Sequence, residues 1–173
     1  LIAIRPRAEF VTERFAAEGK PTDQFTLRLY TGGLRLITGW IARTNRARHS
    51  VNTPTATIGI RGTDHEPYVI SADLSETLSQ DEGTYDKVNR GGTTMNVNGN
   101  KLDVDQGRVG FVRRSPIRLR GMMTLLLPVL LDKVPDFYAP GQFDDELERL
   151  SQAADEGALQ ELNARRTALP QQA

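Results

Sequence analysis

The sequence predicts a mainly β fold, a short solenoid-like or sandwich stack of short strands, with a C-terminal helical tail. Three observations carry this expectation. Apolar residues recur with period two from Leu1 to about Val112, the spacing of strands with one buried face. The candidate strands are rich in Thr, Val and Ile, which suit a pleated surface. Glycines at 32, 33, 39, 59, 62, 83, 91, 92, 99, 107 and 110 punctuate them, as in folds built of many short strands joined by tight turns. No strict repeat is visible, so a regular solenoid is not demanded.

The strands read off in order. Leu1-Ile2-Ala3-Ile4 opens apolar, as if in mid-strand. Phe25-Thr26-Leu27-Arg28-Leu29 alternates cleanly, and Leu34-Arg35-Leu36 resumes the alternation after Gly32-Gly33. Thr57-Ile58-Gly59-Ile60, Tyr68-Val69-Ile70, Met95-Asn96-Val97, Leu102-Asp103-Val104 and Val109-Gly110-Phe111 follow. Asn98-Gly99 is the best hairpin turn, because both residue types accept positive φ. Ser71 to Gly83 is acidic and lacks alternation, and reads as a loop or irregular insert. Beyond Arg114 come Pro116, the apolar run Met122 to Leu131, then Pro135 and Pro140. That run of ten residues is about half the length a membrane span requires; as core it packs one face of the β region, and as function it is an exposed contact. From Asp144 the spacing Leu147, Leu150, Ala154, Ala158, Leu162 marks a helix, with Asp144, Asp145 and Glu146 where the helix dipole favours acids. Gly157 weakens its middle. The expected organisation is a β module over 1–114 and an apolar linker with helical tail over 115–173.

The chain has 173 residues, 22 basic and 22 acidic side chains, two His and no Cys. That length is ample for a hydrophobic core. Zero net charge excludes a globally basic nucleic-acid binder and a charge-extended disordered chain. Absent cysteine excludes disulfides, thiolate metal sites and cysteine nucleophiles. The neutrality hides alternating blocks of +6 over 1–63, −6 over 64–105, +5 over 106–133 and −5 over 134–173. Either oppositely charged faces meet within the fold or at a contact between copies, or a positive patch awaits an anionic polymer such as a glycan or nucleic acid.

Thr53-Pro54-Thr55-Ala56-Thr57-Ile58-Gly59-Ile60-Arg61-Gly62-Thr63 is the most specific stretch. It reads as a turn at Pro54 and a strand of small and β-branched residues. Gly59 allows a bulge or close backbone approach, and Arg61 is expected beside backbone carbonyls or an acidic partner. This stretch closely resembles the signature of the FecR-type extracytoplasmic domain, a β-rich module of Gram-negative bacteria. Leu29 to Ile41, Gly83 to Gly92 and Val104 to Gly110 resemble neighbouring strands of that family, so the resemblance covers about residues 1 to 114. It implies a module outside the inner membrane, periplasmic or at the cell surface, in a family whose best-known members regulate sigma factors. It also implies that the module here lacks its opening strands.

Enzyme signatures are scarce: the sequence contains no G-x-S-x-G, H-E-x-x-H or P-loop. Asp64-His65-Glu66 groups three metal-capable side chains, but in an extended chain Asp64 and Glu66 converge while His65 faces away, and a solvated loop is the simpler reading. Asn96, Asn98, Asn100, Asp103 and Asp105 offer alternating oxygens, yet Lys101 stands where a calcium loop needs Gly, and a tight hairpin explains them. Trp40 is either a stacking platform or a half-buried anchor.

The expected function is therefore a non-enzymatic FecR-like binding and interaction module, with no cofactor and no metal, engaged in cell-surface signalling. Arg61, Thr63, Arg35 and Trp40 are the candidate binding residues. The expected partner is a protein of the cell envelope or a second copy, with a glycan as a further candidate and no nucleic acid. The alternative is a structural, self-assembling envelope component, since complementary charge blocks and open strand edges suit head-to-tail association.

Overall fold

The computed structural model describes residues 1–18, 20, 22–37, 48–61, 64–116, 118–119, 122–123, 125–138, 144–149, 152 and 160. The chain is mainly β, as expected. Its strands are β1 (Ile2–Ile4), β2 (Glu9–Ala16), β3 (Gln24–Ile37), β4 (His49–Asn52), β5 (Thr57–Ile60), β6 (Asp64–Ile70), β7 (Gly83–Arg90), β8 (Gly92–Val97), β9 (Asn100–Asp105), β10 (Val109–Arg113), β11 (Arg118–Leu119), β12 (Met122–Met123) and β13 (Val129–Leu130). One helix, α1 (Ala72–Leu78), lies between β6 and β7, and a second, α2, covers 144–149. No helix among the described residues is long and apolar enough to cross a membrane.

The architecture follows from the long strand β3. Its N-terminal half pairs with β4 in parallel, and its C-terminal half pairs with β6 antiparallel. β1 and β2 run along its other side. Two sheets thus diverge from one spine: β3-β4-β5-β8-β9 and β3-β6-β7-β10-β13. They approach again where the β9–β10 turn meets β7, with Val88 N donating to Arg108 O and Gly107 N to Val88 O. The result is a nearly closed mixed sheet, a sandwich rather than a solenoid.

Between the sheets lies the main core, built from Leu27, Leu29, Leu34, Leu36, Val51, Ile58, Ile60, Val69, Val88, Met95, Val104 and Val112. The inward positions of β3 are odd-numbered at 27 and 29 but even-numbered at 34 and 36. The switch falls at Gly32, whose φ is +76°, so the strand changes face where it passes from one sheet to the other. A fully buried polar chain crosses this core. His65 Nδ1 lies 2.7 Å from Asp86 Oδ1, and Thr93 Oγ1 donates to Asp86 Oδ2 at 2.6 Å. Such a chain is tolerated in a core because each carboxylate oxygen has a partner.

The outer face of the β6–β7–β10 sheet carries a second, aromatic cluster. Ile70, Leu74, Tyr85, Val109, Phe111 and Tyr138 form it, with Tyr68, Leu78, Leu131 and Phe137 packed alongside. Ser71 to Gly83 is therefore not simply a loop: Leu74 and Leu78 lie four apart on α1 and cover this face, which a period-two reading misses. The run from Met122 to Leu131 is not simply core either. Leu126 and Leu131 pack against the two clusters, whereas Leu125, Leu127, Val129 and Leu130 are exposed.

Burial pushes the Tyr85 phenol up to about 12 and raises Tyr68 and Tyr138 above their ordinary value of 10. A raised folded-state value means that the unfolded chain ionises first, so stability is complete below pH about 10 and falls as pH rises beyond it. Alkaline titration is expected to show these phenolates appearing together with loss of β-sheet circular dichroism. Three tyrosines ionising near pH 10 with the fold intact would contradict the packing.

Candidate functional site

Beside the aromatic cluster, the same outer face turns ionic. β6 presents Asp64 and Glu66 at alternate positions, β7 presents Lys87 and Asn89, and β3 presents Arg35. Asn89 Nδ2 donates to Asp64 Oδ1 at 3.2 Å and to Glu66 Oε1 at 3.0 Å. The convergence of Asp64 and Glu66, with His65 turned into the core, is the arrangement the alternation predicts. The solvated loop is not what forms, because β3 and β7 pair with β6 on its two sides and all three residues are buried.

Arg35 is the centre of the group. Its side chain is 7% exposed and that of Asp64 3%. Nε and Nη2 of Arg35 grip the two Asp64 oxygens at 3.0 and 2.5 Å, the fork geometry that makes arginine–carboxylate pairs strong. Burial alone would raise the Asp64 carboxyl. The hydrogen bonds from Arg35 and Asn89 outweigh it and hold the carboxyl below its ordinary value. The bonds to Asp64 likewise raise the Arg35 guanidinium above its usual range.

Other charges close the ring. Arg5 Nη2 donates to Glu66 Oε2 at 2.6 Å, and Lys87 Nζ to Glu66 Oε1 at 3.2 Å. Tyr138 Oη donates to the Glu66 carbonyl at 2.8 Å. From α2, Asp144 accepts from Arg35 Nη1 at 3.0 Å, and Glu148 lies 3.5 Å from Arg35 Nη2 and 3.9 Å from Arg90. These groups other than Arg5 and Tyr138, with Gln106, line a cleft of about 360 Å³. Among the described residues no group of three His, Cys, Asp or Glu is placed to hold a metal. The arrangement fixes charge: every carboxylate faces a cation.

The charge blocks of the sequence therefore meet within the fold. Arg5 and Arg35 from the first block face Asp64 and Glu66 from the second and Asp144 from the fourth. Arg113 pairs with Asp81 at 2.6 Å, joining the third block to the second.

Of the expected binding residues, Arg35 belongs to this group and Arg61 does not. Arg61 spreads over Gly92, donates to Thr93 O at 3.3 Å and faces Asp105 at 3.3 Å and Asp103 at 3.6 Å. It thus holds the carbonyl and acidic partners expected of it, and it ties β5 to the β8–β9 hairpin. Thr63 and Trp40 lie outside the described residues. The rest of the signature is also a joint in the fold. Thr53 Oγ1 accepts from Ala56 N at 3.0 Å and donates to Ala56 O at 2.8 Å, closing the β4–β5 turn. Thr53 and Thr55 both meet Thr84 on β7, at 2.8 and 2.6 Å. Gly59 makes neither bulge nor close approach: it sits in a regular ladder between Ser50 and Thr94, with room for a side-chain carbon. The close approach is at Gly92, beneath Arg61. Asn98 and Gly99, at φ +51° and +89°, form the hairpin turn, and Asp103 accepts from Thr94.

The fold and this face define a β-sandwich scaffold with a charge-locked outer surface. Two solved structures of candidate anti-sigma factors from Parabacteroides distasonis are similar to it, at 13% and 11% identity and TM-scores of 0.47 and 0.46. Each match covers 74% of this chain and 49% or 50% of the other, so the chain spans about half the length of those proteins. No protein-family model and no curated protein matches the sequence.

Proposed function

We propose that the chain is a non-catalytic interaction module of the FecR type, working outside the inner membrane in cell-surface signalling, and that it binds a protein partner of the envelope along the β13 edge. The observation that carries this reading is the apolar row beside that edge. Leu125 is 81% exposed, and Leu127 and Val129, at alternate positions after it, are 44% and 47% exposed. β13 pairs with β10 on one side and with no other strand among the described residues. An edge strand with exposed apolar side chains accepts an extended segment as an added strand, through main-chain bonds and alternate side-chain contacts. The resemblance of residues 53–63 to the FecR signature supports the family and the compartment. The structural work done by Thr53, Thr55 and Arg61 supports placing recognition elsewhere than on the signature itself.

The test is cross-linking in the native envelope, comparing the natural chain with Leu127→Lys and Val129→Lys. A charge on the edge is expected to lower the yield of the partner adduct about tenfold with a much smaller change in the melting temperature, because both side chains are about half exposed. An undiminished adduct would remove the edge from the reading. Adducts formed only between copies of the chain would overturn the signalling partner in favour of self-assembly.

A further inference from the structure

Among the described residues, the contacts that join α2 to the sheet are ionic. Of its side chains Asp145, Glu146 and Arg149 are exposed, and the half-buried Leu147 belongs to neither of the two apolar clusters. Asp144 and Glu148, four residues apart and so on one face of the helix, reach Arg35, Arg5 and Arg90 at 3.0 to 3.9 Å. Among the described residues, Arg35, Lys87 and Arg90 on the sheet and Arg5 just past β1 stand against two sheet carboxylates, Asp64 and Glu66. The two helix carboxylates balance these described charges, four against four. Without them the same group has an excess of two positive charges. The nearly buried Arg35 Nη1 would then lose Asp144, its hydrogen-bond acceptor. With α2 away, Arg35 Nη1 turns to water or to another acceptor, and the excess of positive charge favours an anionic one.

We propose that α2 is a detachable acidic latch, and that the cleft it covers is a docking site for an acidic helical segment of a partner presenting two carboxylates one turn apart. The spacing is set by the sheet: Arg35 lies between Arg5 and Arg90, and the resident helix meets them with residues i and i+4. Contacts that are electrostatic and partly solvated are weakened by salt. A tethered helix of this kind competes with an external one at the high effective concentration its linkage provides. This site is separate from the β13 edge, so either can fail without the other.

The test uses the full chain and a synthetic peptide of residues 142–152 as the probe. In the variant Asp144→Asn/Glu148→Gln the latch is weakened, and the peptide is expected to bind about tenfold more tightly than to the natural chain, where the resident helix already engages Arg35, Arg5 and Arg90. That binding is expected to fall about tenfold between ~0.05 and ~0.5 M salt, and to weaken when Arg90→Gln is added. Because the chain has no cysteine, spin labels at Glu146→Cys and Arg108→Cys report the latch directly: one short distance in low salt, a broad distribution in high salt. Equal peptide binding by both proteins, or a label distance indifferent to salt, would overturn the latch. Binding of inorganic phosphate by the variant without binding of the peptide would overturn the acidic helix as occupant.

Discussion

Arg35→Met is expected to destabilise the fold by about 3–5 kcal/mol, because it leaves a buried carboxylate with its principal partner removed. Among the described residues Asp64 would keep the Asn89 amide and the more distant Arg90, which do not replace the bidentate pair. The reverse change, Asp64→Asn, is expected to cost less, about 1–3 kcal/mol, because Arg35 still faces Asp144 and Glu148. The double variant Arg35→Met/Asp64→Leu is expected to recover most of the loss, since well-packed apolar residues replace a buried pair without the cost of desolvation. Urea denaturation of the four proteins gives the coupling as a double-mutant cycle.

The pH dependence has a definite sign. The folded-state value of Asp64 lies below its ordinary 3.8, so its contribution is present at neutral pH and is lost as pH falls below about 4. In Arg35→Met the carboxylate is buried without its cation and gains from protonation, so the deficit should narrow on acidification. A deficit of equal size at pH 7 and pH 3 would show that Arg35 acts by packing alone.

Gly32→Ala is expected to cost about 2–4 kcal/mol, combining a left-handed backbone with a steric clash. A side-chain carbon there would lie 2.6 Å from the Arg7 carbonyl oxygen and the Ala8 Cα. Both are backbone atoms of the bend between β1 and β2, so relief requires moving a chain that Arg5 N anchors to Gly33 O. The expected signature is a lower urea midpoint with an unchanged slope. A loss within about 0.5 kcal/mol would mean that the two sheets do not depend on this position for their divergence.

Much of the fold is legible in the chain because one-sided burial writes itself as alternation. Phe25 to Leu29, Leu34 to Leu36 and Thr57 to Ile60 all fall in strands, and Asn98-Gly99 in its hairpin. Arg61 could be read as a residue held by carbonyls and acids, since an arginine among small strand residues needs such partners. α1 was hidden because Ser71 to Gly83 has acidic side chains around only two helical leucines. Of the ionic face, the sequence showed two parts, Arg35 between leucines and Asp64 aligned with Glu66. It gave no sign that they belong together, or that Lys87, Asn89, Asp144 and Glu148 join them. Arg35 and Asp144 are 109 residues apart, and no local period connects them.

The sequence by itself determined the β class, the positions of several strands and of the Asn98-Gly99 turn, and which side chains share a face of those strands. These follow from local sterics and from the two-residue period of an extended chain. Only the tertiary structure decided which sheet each half of β3 joins, and that one outer face is covered by aromatic residues at one end and by charge at the other. Period two assigns residues to faces but is silent on what covers a face. That is set by strand register and by elements arriving from elsewhere in the chain, and there a cation and a carboxylate far apart in sequence can exclude water together.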